Sequence, residues 1–200
     1  MPTLKETKKE TKKSKKKQIP EALIYEKVKG KPIYYRNYEK VLKGELPLEA
    51  VMGSSDIHAF LVFMISFLLG KKLDLSKYII MTGELGFYTS KDSYRLLDIA
   101  VFERKNFKFE GGYTKIPPKV VVEIDTKADL SNYNSVEDYI FEKTQELLDA
   151  GVEKVVWILT KPKKVMIAER DQKWIVQNWN EPFEVFQGIE VNLSELVKTN

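Results

Sequence analysis

The sequence predicts an α/β fold around a mixed sheet, and three observations carry that prediction. A capped apolar helix is followed by several segments of strand length; a capped amphipathic helix then leads into a short buried strand; and further strand-like segments trail behind as a meander. The 200 residues, 43% hydrophobic and 12% aromatic, are enough for one well-buried core and leave little room for a second. The reading is therefore a lysine-rich tail over residues 1–19 and one domain over 20–200.

Taken in order, Ala22 to Val28 and Pro32 to Tyr35 flank Lys29-Gly30-Lys31 and read as a β-hairpin. A short helix is expected near Tyr38 to Lys43. Ser54-Ser55-Asp56 then caps an apolar run that reaches Leu69, with Gly70 at its expected end. That helix is apolar nearly all round, so it must be sandwiched in the fold or covered by another subunit. Tyr78 to Met81, Leu85 to Tyr88, Arg95 to Phe102 and Val120 to Asp125 suggest three or four strands. Ser135-Val136-Glu137-Asp138 resembles a capping box, opening a helix that runs to Ala150 and stops at Gly151. Val155 to Leu159 is a buried strand, and Val165 to Ala168, Trp174 to Gln177 and Phe183 to Phe186 continue as the meander. Asn192 caps a short final helix.

Composition excludes several chemistries. Without cysteine there is no disulfide, thiolate metal site or cysteine nucleophile, and the cytoplasm is the default location. The apolar run Ala59 to Leu69 falls short of the roughly 20 residues a membrane span needs. Residues 1–17 hold eight Lys and two Glu, so the net charge of +4 belongs to the tail and the remainder is slightly acidic. A segment so poor in apolar residues is read as disordered, either a solubilising tail or an electrostatic arm for nucleic acid.

The chemistry concentrates in three acids. In Val120-Val121-Val122-Glu123-Ile124-Asp125, alternation sets Glu123 and Asp125 on one face about 7 Å apart, where core is expected. Asp98 is likewise the single charge in Leu96 to Phe102. Unpaired carboxylates are too costly to bury, so the three need a cation, a hydrogen-bond network or a wet cleft; Mg²⁺ (or Mn²⁺) would accept their oxygens and keep several waters. Lys143 falls on the stripe of Val136, Ile140 and Leu147, which points a lysine inward toward those acids. Lys127 is a second candidate lysine, Glu84 a further acidic contributor to the metal, and His58, the single histidine, a candidate for phosphate contact or proton transfer. Each also has a structural reading: a strand-end acid bonded to turn amides, a helix-edge lysine, a turn glutamate, a satisfied histidine.

These residues carry a resemblance. Asp98-Ile99-Ala100-Val101, then Pro117-Pro118-Lys119-Val120-Val121-Val122-Glu123-Ile124, then Lys143 nine residues before Val152 in Ala150-Gly151-Val152, then Val155-Val156-Trp157-Ile158 resemble the Uma family, described as restriction endonucleases within the PD-(D/E)XK nuclease superfamily. Ser54-Ser55-Asp56-Ile57-His58 is similar to the histidine-bearing start of that family's first helix. The resemblance spans roughly residues 50–160.

It implies a restriction-endonuclease-like core of helix, three strands, helix and strand, here with an added N-terminal hairpin and C-terminal β meander. It also implies Mg²⁺-dependent hydrolysis of DNA phosphodiesters, with Asp98 and Glu123 as metal carboxylates. The superfamily's lysine two residues after the glutamate is replaced by Asp125, and Lys143 occupies the place to which the family moves it. The expected partners are DNA and a second copy of the chain, with no membrane. The rival reading is a catalytically silent nucleic-acid-binding or protein-interaction module on the same fold.

Overall fold

The computed structural model describes residues 19–198, so the lysine-rich tail lies, apart from Ile19, outside the described residues. The chain opens with the hairpin β1 (Ile24–Val28) and β2 (Lys31–Tyr34), turned through Lys29 and Gly30 at φ 48° and 77°. Two short helices, α1 (Tyr38–Leu42) and α2 (Glu49–Met52), precede α3 (Asp56–Lys72). Ser55 caps α3 by accepting the His58 N–H, and the helix runs two residues past Gly70, the expected end. The expected strands 78–81 and 85–88 are one strand, β3 (Tyr78–Ser90), bulged at Gly83 and Glu84, both at positive φ. The Thr-Gly-Glu signal marks the bulge rather than a turn.

Next come β4 (Ser93–Glu103), β5 (Val120–Ile124), α4 (Val136–Asp149), β6 (Lys154–Leu159), β7 (Lys164–Glu169) and β8 (Ile175–Asn178). Ser135 caps α4 through the Asp138 N–H, and Gly151 takes the left-handed conformation, φ 109°, just beyond it. The meander stays in the main sheet only through β8. After it, β9 (Phe183–Phe186) and β10 (Ile189–Val191) form a separate two-stranded sheet, and α5 (Leu193–Leu196) follows its Asn192 cap.

The main sheet has eight strands in the order β2-β1-β4-β5-β6-β7-β8, with β3 also paired to β4. It is mixed: β5 and β6 are parallel, joined over α4, and the remaining pairs are antiparallel. Two apolar cores lie on its two faces. Leu61, Ile65 and Leu69 of α3 pack with Ile99, Val122 and Val156 on one side. Tyr139, Ile140 and Leu147 of α4 pack with Val121, Val155 and Trp157 on the other. Val136, expected on the buried stripe, is instead 46% exposed in the first turn; Tyr139, Lys143 and Thr144 complete the buried face.

One feature of the sheet positions the site. β3 runs along the whole of β4, so β4 offers its other edge to two strands: β1 at Tyr94 and β5 over Ile99 to Val101. In the interval between them side chains take over from strand pairing. The Leu96 N–H donates to Glu26 Oε1, the Leu96 carbonyl accepts from Lys143 Nζ, and Asp98 Oδ2 accepts the Ile124 N–H. Buried backbone groups must find partners, and here side chains supply them.

Candidate active site

Asp98 and Glu123 sit on adjacent antiparallel strands, and the register that pairs Ile99 with Val122 sets them opposite one another, one step further along. Both are buried: Asp98 is 7% exposed and Glu123 1%. Asp98 spends one oxygen on the Ile124 N–H at 2.8 Å and directs the other at His58 Nε2, 3.2 Å away in the first turn of α3. Glu123 places Oε2 2.9 Å from Lys143 Nζ, whereas its Oε1 is buried with no protein partner. Lys143, wholly buried, has three oxygens around its ammonium: Glu123 Oε2, the Leu96 carbonyl at 2.8 Å and Glu26 Oε1 at 2.8 Å. Its Nζ also lies 5.5 Å from the centre of the Trp157 ring.

The charges follow from this packing. Burial, aided by the like charge of Asp98, pushes the Glu123 carboxyl well above the usual range, and Lys143 offsets only part of that rise. For Lys143, burial works against the ammonium, but Glu123 and Glu26 outweigh it and raise its pKa. Glu26 is held below the usual carboxylate range, because Lys143 and Arg95 outweigh the effect of its own burial. Lys143 is thus a fixed cation, and Glu123 is an acid short of positive charge.

The other expected residues take separate places. β5 ends at Ile124, and Asp125, at φ 53°, leaves the alternation that was to set it beside Glu123. Both its oxygens accept from Thr160, one from the backbone N–H at 2.9 Å and one from the hydroxyl. Asp125 thereby ties the end of β5 to the end of β6. Glu84 pairs with Lys127 and accepts from the Tyr35 hydroxyl at 3.3 Å, and Lys127 also donates to the Met52 carbonyl. Among the described residues no three Asp, Glu, His or Cys side chains gather as a metal site, so Glu84 does not join Asp98 and Glu123 as a third ligand.

A cleft of about 540 Å³ opens on Asp98, walled by His58, Glu84, Lys127 and Phe63. A wider one of about 1170 Å³ borders it at His58 and Lys127 and extends past Asp125 to Arg36 and Lys161. Glu123 lines neither.

The bare Glu123 oxygen and the Asp98 carboxyl group fit a hard cation: two carboxyl oxygen donors, with water to fill the remaining positions as Mg²⁺ prefers. The second tier of the site, Glu26 and Arg95, lies outside what sequence reasoning found. Glu26 stands beside Lys27 in β1 and Arg95 near the start of β4, and charges so placed have the look of a solvent-facing strand.

No protein-family profile matches the chain, and no curated protein does. Among solved structures it is similar to a crystal structure from Anabaena variabilis ATCC 29413 described as "a putative nuclease belonging to DUF820", with a TM-score of 0.61 at 16% identity over 86% of this chain and 88% of that one. The likeness extends over nearly the whole of both chains, and at that identity it defines the fold: a mixed α/β sheet shared with the Anabaena protein.

Proposed function

We propose that the chain is a Mg²⁺-dependent endonuclease of the Uma type that hydrolyses DNA phosphodiester bonds. The observation that carries this reading is the Glu123 carboxylate, half bound by a buried lysine and half bare, set opposite Asp98. Asp98 and Glu123 would hold the ion, which when bound supplies Lewis acidity and an activated water at phosphorus. His58 orients Asp98, whose second oxygen is fixed by the Ile124 N–H. Lys143 pins one Glu123 oxygen and leaves the other without a protein partner, where it would be available to the ion. Arg36 and Lys161, on the wider cleft, offer positive charge to a phosphate backbone.

One observation favours the rival reading, a silent module that binds nucleic acid or protein on this fold: Lys143 is already surrounded by three protein oxygens, so no N–H is free for the attacking water. A cleavage assay on plasmid and single-stranded DNA decides between them, run with Mg²⁺, Mn²⁺ or chelator. Metal-dependent cutting is expected, absent in chelator and reduced about a hundredfold or more in Asp98→Ala, since metal stabilisation of the transition state is worth several kcal/mol. Cutting that survives both chelator and Asp98→Ala would overturn the proposal.

A further inference from the structure

We infer that Glu26, in the N-terminal hairpin outside the helix-and-strand core that carries the site, is a positioning residue that keeps one oxygen of Glu123 free for a cation; the inference rests on the reading of Asp98 and Glu123 as the metal carboxylates.

Glu26 is 0% exposed, and both its oxygens are fully engaged. Oε1 lies 2.8 Å from Lys143 Nζ and accepts the Leu96 N–H at 3.2 Å; Oε2 accepts from Arg95 Nη1 at 2.8 Å and from the Tyr139 hydroxyl at 2.9 Å. Arg95, itself wholly buried, turns its remaining donors to Glu146 and Glu142 on the outer face of α4. An unbroken line of alternating charge therefore runs from Glu123 through Lys143, Glu26 and Arg95 to Glu146. Replacing such buried ion pairs with well-packed apolar groups is often neutral or stabilising, so stability alone is weak grounds for their presence.

Geometry supplies another reason. A lysine facing only Glu123 would draw both carboxylate oxygens to its ammonium, because no other negative charge would be in reach. Glu26 and the Leu96 carbonyl hold Nζ from two other sides, so it meets Glu123 at Oε2 alone and Oε1 stays bare. Glu26 touches neither cleft and acts through Lys143.

The test uses Glu26→Gln, which keeps shape and loses charge, and Glu26→Asp, which keeps charge. Mn²⁺ affinity is read by calorimetry, kcat and KM by DNA cleavage, and folding by circular dichroism. Glu26→Gln is expected to bind Mn²⁺ about tenfold more weakly and to lose at least about tenfold in kcat, as removal of an outer-shell partner does, with KM for DNA unchanged within about twofold. Glu26→Asp should recover part of both losses, and Glu26→Gln should add little to Lys143→Met. A folded Glu26→Gln with the natural Mn²⁺ affinity overturns the inference, as does a loss of equal size in the Lys143→Met background. Should Glu26→Gln fail to fold, a folded Glu26→Asp that matches the natural protein in affinity and kcat overturns it. A natural protein that binds Mn²⁺ but cuts no DNA defeats the nuclease reading alone, and the Mn²⁺ affinities then decide the role of Glu26. One that binds no Mn²⁺ defeats both.

Discussion

Glu123 is a carboxylate placed where ionisation is penalised. Its pKa is raised above the ordinary 4.5, by burial first and then by the Asp98 charge. A carboxyl raised in the folded state contributes its full stabilisation below the unfolded pKa and loses it as pH rises through the folded value. Glu123→Gln cannot ionise and keeps that contribution. In chelator it should melt with the natural protein near pH 4 and measurably above it at pH 8. A variant that melts lower at pH 8 would show that the ion pair with Lys143 dominates. The burial of Asp98, Glu123 and Lys143 was legible in the sequence because each interrupts an apolar pattern. Asp125 misled for a local reason: its positive φ ends the strand, and alternation says nothing beyond a strand's last residue. Glu26 and Arg95 were hidden because a charge near a strand's end reads as solvent-facing, and only the tertiary arrangement buries it.

At the scale of elements, α3 departs most from expectation. Its uniformly apolar sequence suggested burial on all sides, yet the sheet covers only the face of Leu61, Ile65 and Leu69. Phe60, Phe63 and Phe67 remain 41%, 64% and 53% exposed, and the Phe63 and Phe67 rings stack 6.1 Å apart. Exposed apolar patches of this kind mark interfaces. Light scattering at micromolar concentration is expected to give a twofold dimer for the natural chain and a monomer for Phe63→Ser with Phe67→Ser. A natural chain that is cleanly monomeric removes the dimer. The caps of α3 and α4 could be read in advance because Ser55 and Ser135 act within three residues. The bulge in β3 could not, because only the matching length of β4 shows that its two halves are one strand.

For the whole molecule, the order of elements foretold the mixed sheet, and the lysine run holds the chain's excess positive charge. That run lies outside the described residues, but its charge makes a prediction by itself. Deleting residues 1–17 should weaken DNA binding without altering sequence preference and lower the salt slope by several units, each neutralised phosphate contributing about 0.9. Equal affinity and salt dependence for the two forms would assign the segment to solubility. No helix among the described residues is long and apolar enough to cross a membrane.

The split edge of β4 also bears on how such a chain can change over generations. Glu26, Arg95 and Lys143 come from an N-terminal hairpin, the middle of the sheet and a helix more than a hundred residues from the first, yet each neutralises a charge that another would otherwise leave stranded in the interior. Loss of one exposes the next, so drift at these positions is expected to be concerted, and a descendant that shed the hairpin would have to find an acid elsewhere before it could keep the lysine.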